Sequence, residues 1–290
     1  MEKGRKLLNR FYRHYHKNQR EGGLYLASLS DEEFKSILDL PVGFSRVYLF
    51  ALRRSFQKYN LNKYIIHIPH ASLEVPKSFK NKLTINYSEF QKENKFISDY
   101  RIDEFVPKNF SNIVKFNYSR MYCDVERYLD DQLEEMSKYG MGVLYTKDSN
   151  GREFIKFDNK YKQYVIDKYY KKHHKNLDLM VEKVLKKYKE CFIIDLHSFS
   201  DEFVYKMFNK KNNPDICIGI NKSNYDIDLL EKTINHFSSF GYSVMINYPY
   251  SGSIISNKYP KVKSIMIEVN KRVYSDDFYK CMMKYYDMLQ

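Results

Sequence analysis

Two histidines stand at matching places in the chain. "KYIIHIPH" ends on His70, and "CFIIDLHSFS" carries His197 just past the apolar run Phe192 to Ile194. Each closes a short apolar stretch and is followed by a small residue, Ala71 or Ser198. Neutral imidazole on a rigid strand end suits Zn2+, which in catalytic sites takes three protein ligands and keeps one position open. The third ligand is expected to be a carboxylate. "ISDYRIDEF" offers Asp99 and Asp103, four apart and so on one face if the stretch is helical. One would ligate while the other orients a histidine. Taken alone, Asp99 also fits a helix N-cap, and Glu74 in "HASLEV" is a rival. Asp195 lies two residues before His197, on the same side of a strand, and is the expected orienting partner of that histidine.

Glu268 closes "SIMIE". A carboxylate ending a buried strand costs desolvation energy unless it is used or paired. The same desolvation raises its pKa toward the working range of a general base. An ion pair with a neighbouring Lys or Arg is the structural alternative. In "SRMYCDVERY", Arg120 and Arg127 flank Asp124 and Glu126. Arginine forks bind carboxylates bidentately, and an arginine beside a reacting carbonyl steadies an oxyanion. A structural salt-bridge cluster would use the same residues. His173 and His174 fall on a long helical stretch, where such a pair usually faces solvent. The G-x-S-x-G elbow, the Walker loop, G-x-G-x-x-G and H-E-x-x-H are all missing.

These residues need a scaffold with several strand ends close together. Short apolar runs at "KYIIHIPH", "CFIIDLHSF", "DICIGIN", "SVMINYPY" and "SIMIEVNKRVY" alternate with helical stretches. The helices are 160–188, with Val165, Leu177, Met180, Val181 and Val184 inward, and "YDIDLLEKTINHFSSFG", which stops at Gly241. "FSNIVKFNYSRMYCDVERY" reads as one or two strands and a loop. The alternation predicts an α/β fold: a mixed, largely parallel sheet with helices on both faces. Such folds carry their sites at strand carboxyl ends, where His70, Asp195, His197, Asn247 and Glu268 fall.

Residues 1–60 read as a helical extension ahead of a main domain at 61–290. "SLSDEEFKSILDL" opens with a capping box, Ser30 and Glu33, and Pro41 and Gly43 break that helix. "FSRVYLFALRRSFQKY" follows, with Val47, Phe50, Ala51, Leu52 and Phe56 as its expected inward face.

The 290 residues are 43% hydrophobic and 17% aromatic, ample for a core. The formal charge of +13 favours acidic partners. Its lysines are scattered, as in "NKYPKVK", with no arginine-rich arm or zinc finger, which argues against a nucleic-acid interface. Cys123, Cys191, Cys217 and Cys281 form no C-x-x-C and suit a reducing compartment. No apolar stretch approaches a membrane span or a secretion signal, so a cytoplasmic protein is expected. Nothing in the sequence fixes an oligomeric state.

"IPHAS", "ISDYRIDEFV", "SRMYCDVERYLDD", "EEMSKYGMGVLYTKDSNG", "YYKKHHKNL", "FIIDLHSFS", "PDICIGIN", "NYPYSGSII" and "VKSIMIEVNKRVY" occur in that order. Together, over about residues 63–280, the chain resembles the N-formylglutamate amidohydrolase family. The resemblance implies a fold similar to zinc carboxypeptidases and aspartoacylases. It implies a zinc-dependent amidohydrolase that cleaves the N-acyl amide of a small acidic amino acid, first of all N-formyl-L-glutamate. His70 and His197 would be ligands to one divalent ion, with Asp103 favoured over Asp99 as the third and Asp99 and Asp195 behind them. Glu268 would be the general base, and Arg120 would polarise the carbonyl. Arg127, His174, Asn247 and Tyr250 would bind substrate, Arg127 through the substrate carboxylate. Two departures bear on specificity. The family's Asn-Arg reads Glu126-Arg127, and its Glu-x-Asn-Arg reads Glu268-Val269-Asn270-Lys271, with Arg272 one step later. Other acyl amino acids and acidic peptide C-termini are the neighbouring substrate classes. A basic adaptor that keeps the hydrolase fold is the alternative from another class; an intact His70, Asp103, His197 and Glu268 argue against it.

Overall fold

A computed structural model describes residues 2–40, 43–57, 63–108 and 110–289, without the side chains of 20 and 54–57. The expected break at Pro41, the Phe56 side chain and the expected boundary at 60–61 lie outside the described residues. The chain folds as two compact units. One comprises Met1–Asn62, Val106–Asn112 and Met283–Gln290, and the other Lys63–Phe105 and Ile113–Met282.

In the first unit, helices Glu2–Lys17, Gln19–Ser28, Asp31–Leu38 and Arg46–Gln57 enclose a core of Leu7, Phe11, Leu26, Phe34, Ile37, Leu49 and Leu52. The capping box forms: the Glu33 N–H donates to Ser30 Oγ at 3.1 Å, and the Ser30 N–H to the Glu33 carboxylate at 3.2 Å. The expected inward face of Arg46–Gln57 is corrected. Leu52 is buried as expected, but Val47 and Phe50 are 78% and 54% exposed, Ala51 is exposed too, and Leu49 and Arg53 turn inward in their place. Arg53 sets that rotation. Its guanidinium donates to the Leu26 and Leu29 carbonyls at the end of helix Gln19–Ser28, at 3.2 and 2.7 Å, and pairs with Asp31 at 2.9 Å. Carbonyls at a helix terminus have acceptor capacity to spare, and the Leu26 carbonyl accepts from the Leu29 N–H as well.

The second unit is built on a six-stranded sheet. Its strands are β1 (Tyr64–Ile68), β2 (Ile113–Lys115), β3 (Phe192–Phe199), β4 (Ile216–Gly219), β5 (Val244–Ile246) and β6 (Lys263–Asn270), in the order β2-β1-β3-β6-β4-β5. Neighbours run parallel except β4 and β6. The fold is thus α/β on a mixed, largely parallel sheet. β1, β3 and β6 are almost wholly buried, which explains their nearly unbroken apolar sequences. Register does the positioning: His67 lies beside Asp195, and His197 beside Glu268. Register partners on parallel strands face the same way, as do residues two apart on one strand. One face of the sheet therefore collects His67, Asp195, His197 and Glu268.

The long helical stretch before β3 is Asn159–Val165, a π-helical turn at Ile166–Tyr170, then Lys171–Tyr188. Leu177, Val181 and Val184 pack with Ile65, Val114 and Ile193 of the sheet. His173 is one turn before Leu177 on the same stripe, and both His173 and His174 are buried rather than solvent-facing. Only Ile113–Lys115 of "FSNIVKFNYSRMYCDVERY" is a strand. The rest is a buried turn that side chains support in place of a ladder: Ser119 Oγ donates to Asn94 Oδ1 at 2.6 Å and accepts from the Met121 N–H at 3.0 Å.

Gly219, ending β4, meets the loop after β5. A Cβ there would stand 2.1 Å from the Gly252 carbonyl oxygen and 2.4 Å from the Met266 methyl. That approach seats the loop so that the Ile254 N–H donates to Asp195 Oδ2 at 3.0 Å. Gly219→Ala is expected to cost about 1–3 kcal/mol in urea denaturation, as overpacking does.

Candidate metal centre

Asp124 is the fixed point of the site. It is fully buried, its backbone N–H donates to the Val143 carbonyl at 2.7 Å, and its carboxylate is shared among several donors. Oδ2 accepts from Arg120 Nε at 3.1 Å and from the Tyr145 hydroxyl at 2.9 Å, with Arg127 Nε 3.5 Å away. Oδ1 accepts from the Glu126 N–H at 3.2 Å and from His70 Nε2 at 2.8 Å. Burial opposes charge on Asp124, but Arg120, His70 and Arg127 overcome it and hold the carboxyl well below the usual range.

His70 gives its Nε2 proton to Asp124, so its Nδ1 presents a lone pair. That nitrogen is buried and has no hydrogen-bond partner. It lies 3.8 Å from Glu126 Oε2 and 3.7 Å from Asp99 Oδ2. His197 joins from the end of β3. Its Nε2 is 3.0 Å from Glu126 Oε2 and 3.0 Å from Asp195 Oδ1, and its Nδ1 is 3.0 Å from Asp99 Oδ2. His70, Glu126 and His197 each offer a ligand atom within 4.8 Å of the others. A second trio, His67, Glu126 and Asp195, meets the same condition.

The electrostatics agree with the donor set. Burial opposes a proton on His197, yet Glu126, Asp195 and Asp99 raise its pKa well above the ordinary value. Burial and Arg120 oppose one on His70, and Asp124 and Asp99 raise it nonetheless. The carboxylates Asp99, Asp124, Asp195 and Glu126 crowd one small volume, where Arg120 and Arg127 are only partial compensation. Such a field demands positive charge, and two imidazoles with a carboxylate are a zinc ligand set. The residues therefore fit a divalent ion.

Asp103 is corrected as the carboxylate ligand. Between it and Asp99, Arg101 takes the left-handed conformation, with φ 72°, so the two acids do not share a helical face. Asp103 sits instead on the 3-10 turn Ile102–Phe105 and pairs with Lys115 at 2.6 Å. Glu126 supplies the carboxylate beside the histidines. Asp99 is hydrogen-bonded to His197 Nδ1 and lies 3.7 Å from His70 Nδ1, while Asp195 Oδ1 meets His197 Nε2, the nitrogen that faces Glu126.

Glu268 lies beside His197 on β6, with Oε2 buried and unpartnered. Burial first, and Asp99 next among the groups that raise it, push its carboxyl up to about 8 against the pull of His197 and Arg120. Tyr250 faces it, and burial and Glu268 raise the Tyr250 hydroxyl well above its ordinary value. His174 Nε2 donates to the Val125 carbonyl at 2.7 Å, holding the backbone next to Glu126. Asn247 is not brought to the centre. It is exposed after edge strand β5, which β6 and β4 separate from β3, in a left-handed turn (φ 54°), and its Oδ1 accepts from the Ile220 N–H at 2.9 Å. Arg272 pairs with Asp201 and Asp215, at 2.6 and 2.9 Å, while Lys271 Nζ donates to the Ser98 carbonyl at 2.7 Å.

The sequence model of the N-formylglutamate amidohydrolase family matches residues 62–275. The chain belongs to that family. Two solved structures share the family fold. An N-formylglutamate amidohydrolase from Ralstonia eutropha aligns at 19% identity with a TM-score of 0.65. A gene product of Agrobacterium tumefaciens aligns at 14% identity with a TM-score of 0.55. Each alignment covers 78% of this chain and 91% of the other. No curated protein matches the sequence. Within this N-formylglutamate amidohydrolase domain, Asp124 and His67 stand at the centre without having been given a role from the sequence, and Glu126 had entered only as a departure bearing on specificity. An acid between two arginines was the available signal for Asp124.

Two outcomes are expected. Glu126→Gln should weaken Zn2+ binding by at least about tenfold in chelator competition, while Asp103→Asn should leave it unchanged. In protein stripped of metal, Glu268 keeps its proton up to pH about 8 when folded but loses it near 4.5 when unfolded. The folded state then binds more protons between those values, so stability falls as pH rises across that window. Melting curves of Glu268→Gln beside the native chain should show that decline removed.

Proposed function

We propose that this family member is a zinc-dependent amidohydrolase that cleaves N-formyl-L-glutamate to formate and glutamate. The observation that carries the reading is the buried His70 and His197 with the half-buried Glu126, and Glu268 beside His197 one strand away. The Ralstonia eutropha relative, named as an N-formylglutamate amidohydrolase, supports the substrate. When bound, the zinc ion supplies a Lewis acid for the amide carbonyl and lowers the pKa of water.

The chain's own groups do the rest. Glu268, held in reach of neutral pH by burial, takes the proton of the attacking water and passes it to the leaving nitrogen. Arg120, fixed on Asp124, places a permanent positive charge where the carbonyl oxygen gains negative charge. Arg127 keeps a buried Nε without a hydrogen-bond partner and is the residue we assign to the substrate carboxylate. Tyr250 lines the site beside Glu268, and His174 positions Glu126 through the backbone. The catalytic domain is assigned to 61–290, with 1–60 as an extension. Cys123, Cys191, Cys217 and Cys281 are buried and unbridged, which supports a cytoplasmic setting. No described helix is long and apolar enough to cross a membrane.

One observation favours a second substrate class. Arg127 is also 3.3 Å from the Tyr145 hydroxyl and 3.9 Å from Glu134, and Glu126 adjoins it in the chain. These acceptors compete with an incoming carboxylate and open the site to less acidic N-acyl amino acids.

Formate release from N-formyl-L-glutamate, N-formyl-L-aspartate and neutral N-formyl amino acids tests both readings. Release should stop on chelation and return with Zn2+, and Glu268→Gln should lower kcat by about 10²–10⁴-fold. Undiminished release after complete removal of metal would overturn the zinc mechanism. Release from the neutral compounds alone would overturn the glutamate assignment.

A further inference from the structure

The geometry points to a second divalent-cation position, held by His67, Asp195 and Glu126 and bridged through Glu126 to the first. It rests on the proposal that His70, Glu126 and His197 hold the first ion. The two carboxylate oxygens of Glu126 face different histidines. Oε2 lies 3.0 Å from His197 Nε2 and 3.8 Å from His70 Nδ1, while Oε1 lies 3.6 Å from His67 Nδ1. One oxygen toward each donor set is how a carboxylate bridges two cations. Asp195 adds a second shared group. Its Oδ2 is committed to the Ile254 N–H, leaving Oδ1 2.7 Å from His67 Nδ1 and 3.0 Å from His197 Nε2.

His67 is oriented for ligation. It is fully buried, and its Nε2 is 2.7 Å from His173 Nε2. Donation of the Nε2 proton to His173 frees the Nδ1 lone pair toward Asp195 and Glu126, in the way metal-ligating histidines commonly hold their other nitrogen. Nδ1 and Asp195 Oδ1 then become two acceptors 2.7 Å apart, an arrangement that a cation between them and Glu126 resolves.

The experiment is metal stoichiometry. Full-length protein stripped with chelator is dialysed against excess Zn2+ and analysed for bound metal, and a parallel Mn2+-loaded sample is examined by electron paramagnetic resonance. The native chain should hold two ions and give an exchange-coupled Mn2+ pair signal. His67→Ala, and the gentler His67→Gln, should halve the metal content and give an isolated-ion signal. A single ion in the native chain, with the Asp195–His67–His173 contacts serving only as a hydrogen-bonded relay, overturns the proposal and leaves the zinc amidohydrolase reading standing. Two ions in both native and His67 variants overturn the His67 assignment. No bound ion in the native chain overturns both readings.

Discussion

A buried aspartate outside the His70, Glu126 and His197 group governs this site. Asp124 lies in a turn, yet it ties Arg120, Tyr145, His70 and the Glu126 backbone to one carboxylate. Isolated charge in the interior is costly, and a carboxylate is retained there only with strong hydrogen bonds and opposite charge. Asp124 has both. Because it accepts the proton on one side of His70, it decides which nitrogen faces the centre. Because it receives the Glu126 N–H, it also decides where that carboxylate stands. The local chain needs no regular secondary structure to be rigid.

The sheet contributes the other half. β3 and β6 run side by side through eight register pairs, and His197 and Glu268 are held at one strand separation by the backbone itself. The centre thus joins two kinds of support: strand register for His67, Asp195, His197 and Glu268, and a hydrogen-bonded turn for Arg120, Asp124, Glu126 and Arg127. Helix Lys171–Tyr188 links the two, since its His173 touches the sheet-borne His67 and its His174 touches the Val125 carbonyl of the turn.

This division explains what was legible in the sequence. Period and apolar runs announce strands, so the α/β class and the strands that carry Asp195, His197 and Glu268 could be read directly, but β3 and β6 run on to Phe199 and Asn270 and hold these residues within the strands rather than at their ends. Turn-borne positions carry no period. Glu126 was visible only as a departure from a family pattern, and Asp103 looked like a ligand because i, i+4 spacing assumes a helix. A single left-handed residue, Arg101, breaks that assumption. His173 and His174 misled for a related reason: charge around them suggests solvent, whereas Leu177 and Val181 one and two turns on belong to the buried stripe. In Arg46–Gln57 the buried Arg53, bonded to the Leu26 and Leu29 carbonyls, takes an inward position while Val47 and Phe50 stay exposed, so the apolar pattern alone misplaced that face.

The eight-pair register of β3 and β6 has a consequence for how the centre comes into being. Side chains alternate faces with period two, so a slip of one residue between these strands would place the His197 and Glu268 side chains on opposite sides of the sheet. It would also part Glu268 from His197, whose charge offsets the burial of that carboxyl. Errors of strand alignment are therefore penalised by the same groups that form the centre. The alignment of the sheet and the assembly of the centre thus depend on one and the same register.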